Sequence, residues 1–476
     1  MTNTSSGKLI PVLGLFSAFI LTVSSVIGSG IYKKIAVMAG DLSSPSLVLL
    51  CWLLAGFITL CGALSNAEIA SMLADSGGEY VYYRKIYNRF FAFLYGWTSF
   101  AVIRSASLAS IAYVCAESLN TIVPLPQFNP SLSEMTVLGI FTPFNNFGVK
   151  SMTIFILAVL SVVNCFGLKG GERLSRLVLY GVMISLLVII ILGFTLSDGS
   201  MQNVQTVSSN YVSTPWYSGQ FIKSMFAALL AAFWAYEGWA TTGYIGGEIK
   251  NPNRNLPLAL VFGVSFVMVV YILVNLTFLY VLPIDKIAEV GNSENGIVAV
   301  EVVRHFLGNS GVIFISALIF MTTLGTTNTT LIMPPRLYFA MAREGHFFKS
   351  TAYIHPKYHT PTKAFIYQLI WASILVLSGS FDQLTDMLIF AAFIFYGATT
   401  LGVFILRYKM PLAHRPYKAY GYPVIPALFI LFCASLVIAT FLSRPREALL
   451  GLGLMASGIP FFFYWRKQNK DKENTV

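Results

Sequence analysis

Charged residues are scarce in this chain. Asp, Glu, Lys and Arg make up 11% of its 476 residues, whereas 56% are hydrophobic and the mean hydropathy is +0.71. A soluble domain of this length has no means of hiding so much apolar surface, so the composition excludes a water-soluble protein. Apolar windows of about twenty residues recur, not the alternating segments of about ten residues that build transmembrane barrels. We predict an all-α integral membrane protein.

Hydropathy places twelve transmembrane helices along the chain. Little polar sequence precedes the first helix or follows the last, so we expect one membrane domain over residues 1–476. The predicted spans lie near residues 10–36, 44–72, 90–118, 151–167, 175–196, 220–246, 258–282, 311–340, 364–379, 383–407, 424–442 and 447–465.

Cysteine and histidine are also rare, with five residues of each. Every cysteine falls inside a predicted span, where a free thiol behaves as a small apolar residue, so we expect no disulfide. The histidines lie in loops or at span ends, and no nucleophile–base pair or ligand cluster stands near the polar segments described below. The sequence predicts no catalytic residue, no metal site, no bound cofactor and no enzymatic activity.

Basic residues outnumber acidic ones, 31 to 20, so the net charge is +11. Most of the 31 Lys and Arg residues fall at the cytoplasmic ends of the spans if the N-terminus is cytoplasmic. That distribution follows the positive-inside rule and makes a lipid bilayer, not a nucleic acid, the partner of the basic residues. We expect a multi-pass protein of the cell membrane with both termini in the cytoplasm.

Two predicted spans carry small or polar residues at mid-membrane depth, where lipid offers backbone groups no hydrogen bonds. Paired interruptions of this kind are the best sequence indication of a secondary transporter's binding site. Half-helix N–H groups suit a carboxylate, and freed carbonyls suit an ammonium. Alternatively, the glycines only allow close helix packing. The candidate substrate-binding residues are Ser25, Val26, Ile27, Gly28, Ser29, Gly30 and Ile31 in the first span, and Trp234, Ala235, Tyr236, Glu237, Gly238 and Trp239 in the sixth.

The positions of the two interruptions suggest an internal repeat. If the first and sixth spans are equivalent, residues 10–196 and 220–407 form two units of five spans each. An odd number of spans makes the second unit inverted relative to the first. The two spans within residues 424–465 are then additions outside the repeat.

Several motifs match a known family in chain order. They are Ile27-Gly28-Ser29-Gly30-Ile31-Tyr32, Ser76-Gly77-Gly78-Glu79-Tyr80, Phe233-Trp234-Ala235-Tyr236-Glu237-Gly238-Trp239, Asn251-Pro252-Asn253-Arg254-Asn255-Leu256-Pro257 and Arg415-Pro416-Tyr417-Lys418. In them the chain resembles the amino acid–polyamine–organocation superfamily, and within it the L-type amino acid transporters. The resemblance implies a 5+5 inverted repeat with broken helices 1 and 6, and alternating-access transport. It also implies that Gly28, Ser29 and Gly30 hold the substrate carboxylate.

Charged residues at membrane depth are functional candidates by default. Glu237 has three interpretations: it pairs with a cationic substrate side chain, it carries a coupling proton, or it pairs with a structural partner. Arg104 is also a gate candidate, and we expect it to pair with a structural partner rather than to contact substrate. Glu68, near the inner end of the second span, suits an inner gate paired with Arg84 or Arg343, or it lies at a solvated helix end.

Ion coupling is a separate question. The resemblance aligns Val182 with a lysine that many members carry where sodium sits in sodium-coupled relatives, so no fixed cation occupies that place here. Oxygens of Thr326, Thr327 and Asn328, with carbonyls of Ser24 and Ile27, form a candidate cation site. Helical hydroxyls, however, often bond back to their own carbonyls. Exchange without a coupling ion, proton coupling and sodium coupling stay open.

We expect the protein to exchange amino acids, with neutral or cationic L-amino acids as substrates. A proton- or sodium-coupled symporter is the alternative, and a transporter-like sensor or channel represents another class. Tyr32, Trp234, Tyr236 and Trp239 are candidates for an aromatic gate or pocket. Animal L-type transporters resemble this chain but bind a glycoprotein through a cysteine in the outer loop after span three. Residues 119–150 contain none, so we expect no disulfide-linked heavy chain and a stand-alone protein of bacterial type.

Overall fold

The computed structural model describes residues 13–473 except 74–77, 138–140, 167–170, 241–248, 294, 333 and 359. In these residues the regular structure is helical, and the β-type pairings are two isolated bridges, Leu13 with Ile249 and Val137 with Phe141. Helices satisfy every backbone group internally, which is what a bilayer demands of a spanning segment. The all-α fold class is confirmed.

The helices follow the hydropathy pattern closely. In chain order they are α1 Leu15–Val26, α2 Gly30–Lys33, α3 Ile35–Leu42, α4 Pro45–Met72, α5 Glu79–Ile86, α6 Arg89–Thr98, α7 Arg104–Ile122, α8 Pro130–Ser133, α9 Phe147–Cys165, α10 Gly171–Thr195, α11 Met201–Gln205, α12 Gly219–Tyr236, α13 Pro252–Val281, α14 Ile284–Asn292, α15 Val298–Ile332, α16 Pro334–Arg343, α17 Thr362–Ser378, α18 Phe381–Lys409, α19 Val424–Ser443, α20 Pro445–Ala456 and α21 Gly458–Glu473.

Eight stretches of this described structure are long and apolar enough to cross a membrane, and α1, residues 179–195 and α17 are shorter apolar helices. Together they agree with a membrane protein of about twelve helices. Span three differs from expectation, because a π-helical segment, Ser99–Ile103, joins α6 to α7. α15 consists of two helices joined at Gly308, whose φ of 61° is not helical, and the predicted eighth span corresponds to the helix after Gly308.

The interior of the bundle is built from helices far apart in sequence. α4 packs along α13, and α7 packs along α15. Outward faces carry exposed apolar side chains such as Phe155 and Leu431, as expected where lipid is the solvent. Polar side chains that the helices place inside this bundle therefore lie apart from bulk water.

Candidate binding site

The first interruption is a short non-helical link between α1 and α2. Ile27 adopts an extended conformation with ψ 107°, and its N–H still donates to the carbonyl of Val23 at 2.9 Å. Ser29 returns to helical angles, and α2 begins at Gly30. The Gly-Ser-Gly run explains the position of the break, since glycine stabilises helices least and permits sharp changes of direction.

The second interruption follows α12. Glu237 is extended, with φ −65° and ψ 152°, and its N–H donates to the carbonyl of Trp234 at 3.2 Å. Gly238 has a φ of 107°, a conformation that side-chain-bearing residues rarely adopt. The predicted continuation of this span through residues 241–246 lies outside the described residues.

The two interruptions touch each other. A Cβ added to Gly30 would lie 2.8 Å from the Cα of Ala235, and one added to Gly238 would overlap the carbonyl of Ser25. Both glycines are therefore required for contact between the two segments. Close packing of helices was the alternative interpretation of the Gly-Ser-Gly run. In the structure, Gly30 has this packing role.

Tyr271 of α13 joins the same two segments. Its buried hydroxyl donates to the carbonyl of Ala235 at 2.8 Å and lies 3.3 Å from the carbonyl of Val26. Both carbonyls were candidates for binding a substrate ammonium, and each already has this partner. Tyr236 points away toward α4, where its hydroxyl donates to the carbonyl of Trp52 at 3.1 Å. Sequence reasoning missed Tyr271, because a tyrosine within an apolar span carries no distinguishing signal.

Open space and unpaired polar atoms remain beside this contact. No heavy atom of the neighbouring described residues lies within 4 Å of a Cβ placed on Gly28. The hydroxyl of Ser29 and the indole N–H of Trp234 are buried without a hydrogen-bond partner in the described part of the chain. Buried polar atoms are normally paired, so these two atoms are available to a polar ligand.

A buried charge pair lies next to the second interruption. Nη1 of Arg104 is 4.0 Å from Oε1 of Glu237, and the two side chains are 12% and 8% exposed. The hydroxyl of Tyr396, from α18, donates to the same oxygen at 3.0 Å. The ring of Tyr396 also packs on Trp239, with centroids 5.1 Å apart. Arg104 and Glu237, predicted separately, therefore lie together.

The π-helical segment sets where Arg104 begins the next helix. A π turn adds one residue to the helical turn and so rotates everything after it, and such turns are common at functional sites. Ser105 donates its hydroxyl to the carbonyl of Phe100, and the indole of Trp371 donates to the carbonyl of Ala101 at 2.8 Å. These two bonds satisfy carbonyls within the wide turn. No feature of the sequence indicated it.

The candidate cation site is occupied by internal hydrogen bonds. Thr326 and Thr327 donate to the carbonyls of Thr322 and Thr323, and the side-chain oxygen of Asn328 accepts from Asn164 at 2.6 Å. The hydroxyl of Ser24 likewise donates to the carbonyl of Leu21. Each oxygen keeps a free lone pair, but none of these side chains lacks a partner.

Val182 is buried, and its carbonyl accepts from the hydroxyl of Ser185 at 2.7 Å. Tyr32, a gate candidate, is hydrogen-bonded to that same serine hydroxyl at 2.6 Å. Tyr32 is thus 1% exposed and ties α2 to α10, so it does not face open space in this structure.

Glu68 binds different arginines from those expected. Its carboxylate accepts from Nη2 of Arg407 at 2.6 Å, lies 3.3 Å from Nε of Arg415, and accepts from the backbone N–H of Ala419 at 2.7 Å. Arg84, one predicted partner, instead pairs with Glu344 at 2.9 Å. The guanidinium of Arg343, the other, lies over the ring of Phe339 at 5.8 Å. The expectation failed because it relied on nearness to the inner face, whereas residues 407–419 approach Glu68 only in the folded chain.

Two buried lysines were not predicted from the sequence. Nζ of Lys33 lies 2.5 Å from Oε1 of Glu117, and Nζ of Lys34 lies 2.6 Å from Oδ1 of Asp382. Both ammonium groups stand over the ring of Phe381, at 4.9 and 4.8 Å from its centroid. That ring meets Trp234 edge-on, with centroids 6.0 Å apart. Adjacent lysines following an apolar span were the available signal.

A helical membrane bundle with two touching helix breaks, and unpaired polar atoms beside them, defines the class of secondary transporters. The amino acid permease family model matches residues 13–461. The chain therefore belongs to that family, as its motifs predicted, and its family consists of transporters rather than enzymes.

Three relatives illustrate the range of the family. The serine/threonine exchanger SteT of Bacillus subtilis is 28% identical over 98% of this chain and 99% of its own length. The human b(0,+)-type amino acid transporter 1 is 30% identical over 95% and 87%. The human large neutral amino acids transporter small subunit 2 is 29% identical over 96% and 81%. Amino acid transport is common to these names, while the substrates differ.

Proposed function

We propose that the protein is a secondary-active exchanger of L-amino acids that works by alternating access. The observation that carries this proposal is the open space at Gly28, beside the unpaired polar atoms of Ser29 and Trp234, where the two helix breaks meet. A ligand with a carboxylate and an ammonium would satisfy groups that the protein leaves unpaired. The exchanger name of a relative along nearly its full length supports the same conclusion.

The first break would bind the part that all amino acids share. Gly28, Ser29 and Gly30 would hold the carboxylate at the start of the half-helix, where N–H groups point outward. The carbonyl of Ser25 is a candidate acceptor for the ammonium, because Val26 and Ala235 are already bonded to Tyr271. The side chain would then extend toward Trp234 and the Arg104–Glu237 pair.

The two five-span units, residues 10–196 and 220–407, would be inverted repeats, and one bundle of helices would rock against the other. In such a repeat the second and seventh spans correspond, as do the third and eighth. Support comes from the packing of α4 along α13 and of α7 along α15, which are these two pairs. The additional helices within 424–465 lie outside the repeat in this proposal.

Gates would form at both ends of the site. The lysine pairs and Tyr32 link α2 to α7, α18 and α10 on one side. Glu68 links α4 to the end of α18 on the other. The orientation proposed from the basic residues puts Glu68 and both termini at the cytoplasmic face. Neither a coupling ion nor a second subunit is part of this proposal.

Uptake into proteoliposomes tests exchange directly. Labelled amino acid should accumulate only when the vesicles are preloaded with unlabelled amino acid. Accumulation driven by a proton or sodium gradient into empty vesicles would replace exchange with symport. Saturable binding without flux would indicate a sensor, and currents far above carrier turnover would indicate a channel.

Two glycine variants separate binding from packing. Gly28→Ala adds a methyl group where there is room, so the protein should fold normally while uptake falls by about tenfold or more, because the methyl occupies substrate space. Gly30→Ala should lower thermal stability as well, because its methyl meets Ala235. If Gly28→Ala transports like the wild type, the carboxylate does not bind at this break.

A further inference from the structure

A groove with a volume of about 580 Å³ lies between the link from α5 to α6 and the last turns of α18. Its lining residues lie outside both helix breaks, and they are Ile86, Tyr87, Asn88, Phe404, Ile405, Tyr408 and Lys409. Binding sites for small molecules measure about 300–1,000 Å³, so the groove is large enough for a ligand. We propose that this α5–α18 groove binds an anionic phospholipid, with an acyl chain against its apolar wall and the phosphate at Lys409.

The depth of the groove is the first argument. The stretches Arg89–Ile122 and Phe381–Lys409 are both long and apolar enough to cross a membrane, and the groove lies where the first begins and the second ends. In the orientation proposed from the basic residues, these two ends face the cytoplasm. The groove therefore lies where acyl chains meet headgroups in the inner leaflet, which carries anionic lipids.

The apolar wall is the second argument. Phe404 and Ile405 are half-buried, and the ring of Phe404 packs on Tyr422 with centroids 5.1 Å apart. On the α5 side, the hydroxyl of Tyr87 donates to the carbonyl of Ala398 in α18 at 2.7 Å, which fixes its ring. Side chains held in this way form a preformed surface for an acyl chain, so binding requires little rearrangement of the protein.

The charge at the polar end of the groove is the third argument. The ammonium of Lys409 donates one proton to the carbonyl of Ile86 at 3.0 Å, and an ammonium has three. Lys85 and Arg89 are exposed beside the lining residues. Among the residues that the structure describes, no acidic side chain forms an ion pair with these three cations. This end of the groove therefore carries positive charge that an anionic ligand would balance.

The combination of the apolar wall and the cations selects the occupant. A hydrocarbon chain alone would leave the cations unbalanced, and a small soluble anion would leave the apolar wall uncovered. A zwitterionic phospholipid offers both a chain and a phosphate, but it adds a second cation among Lys85, Arg89 and Lys409. An anionic phospholipid adds none, and each Lys or Arg near the membrane surface strengthens its binding.

Binding in this groove would have a consequence for the fold. A lipid that contacts both the α5–α6 link and α18 binds only the folded protein, so it raises the unfolding temperature in proportion to its affinity and concentration. Arg407 lies two residues before Lys409 and bonds to Glu68 at 2.6 Å. The lipid would therefore brace the end of α18 from which the Glu68 contact is made.

Lipid titrations of the purified full-length protein in detergent test the inference, with affinity followed as thermal stabilisation and as lipid adducts in native mass spectrometry. The wild type should bind dioleoylphosphatidylglycerol at least about fivefold more tightly than dioleoylphosphatidylcholine. Lys409→Gln should weaken binding of the anionic lipid by about fivefold, and Lys409→Arg should retain it. Lys357→Gln, the same change at another exposed lysine, is the matched control and should bind like the wild type.

A second variant tests the apolar wall and keeps the inference testable if Lys409→Gln fails to fold. Ile405→Trp fills the groove while leaving every cation in place, so it should weaken binding of both lipids.

Four results would overturn the inference: equal affinity for the two lipids, equal losses in Lys409→Gln and Lys357→Gln, unchanged binding in Ile405→Trp, or equal stabilisation by glycerol phosphate, which has no acyl chain. Because binding is measured without transport, any of these results leaves the proposed exchange of amino acids standing.

Discussion

Two buried groups of ion pairs lie near the breaks, and they differ in tightness. At the far end of α2, Lys33 stands 2.5 Å from Glu117. At mid-membrane, Arg104 stands 4.0 Å from Glu237. Burial alone does not explain the difference, since all four side chains are at most 12% exposed. A buried pair offsets its desolvation only with close contact and additional hydrogen bonds, so the tighter pair should contribute more to stability through its direct contact.

The buried ammonium group of Lys34 has a polar or aromatic partner on several sides. Its ammonium bonds to Asp382 at 2.6 Å and to the hydroxyl of Thr385 at 2.7 Å, and it lies over the ring of Phe381. Carboxylate, hydroxyl and aromatic face together replace the water that a lysine loses on burial. The tight pairs hold Lys33 and Lys34, at the end of α2, against α7 and α18, whereas the nearest charged atoms of Arg104 and Glu237 stand 4.0 Å apart.

The largest expected effect comes from breaking a tight pair on one side. Glu117→Leu leaves the ammonium of Lys33 buried without its carboxylate, so the free energy of unfolding should fall by about 3–5 kcal/mol. Denaturant or thermal unfolding in detergent measures the loss. Adding Lys33→Met removes the stranded charge and should recover most of the stability. Equal losses in the single and double variants would mean that the contact does not stabilise the fold.

Asp41, whose carboxyl interacts electrostatically with Lys34 and Asp382, should make the stability of the fold depend on pH. Burial raises the pKa of its carboxyl from 3.8 to about 6, although the charges of Arg444 and Lys34 oppose the shift. Because the folded protein binds this proton more tightly than the unfolded chain, Asp41 destabilises the fold increasingly as pH rises from about 4 through 6.

The variant Asp41→Asn removes that penalty. It should match the wild type below about pH 4 and exceed it by up to about 3 kcal/mol above pH 6, at about 1.4 kcal/mol per pKa unit. Thermal unfolding across this pH range, with Asp198→Asn as a control, measures the difference. A constant difference at every pH would exclude titration of Asp41 as its cause.

The loose pair should matter less for stability than the tight pairs. Arg104→Gln leaves Glu237 with its hydrogen bond from Tyr396, so we expect a loss of about 1–2 kcal/mol. The same unfolding assay compares it with Glu117→Leu. A loss as large as that of Glu117→Leu would erase the distinction between the two groups and make Arg104 a structural residue.

The sequence predicted what depends on local patterns. Hydropathy located the spans, and the Gly-Ser-Gly run located the first break within a residue or two, because both are properties of neighbouring residues. Partners joined across long stretches of chain were not predictable in this way. Glu68 bonds to Arg407, which is far away in the sequence. Arg104 lies near Glu237 because a π-helical turn precedes it, and no residue pattern predicts that turn. Such contacts depend on how helices pack.

The smallest expected effect tests how firmly the two breaks are joined. Tyr271→Phe removes the hydroxyl that contacts the carbonyls of Val26 and Ala235, so stability should fall by about 1 kcal/mol. Tyr280→Phe on the same helix is the matched control, because its hydroxyl makes no hydrogen bond to the described residues and its ring packs on Phe194. Uptake measured alongside unfolding distinguishes the roles of the hydroxyl. If Tyr271→Phe slows exchange far more than it lowers stability, the hydroxyl maintains the geometry of the site, and if both match the control, the breaks are held by Gly30 and Gly238 alone.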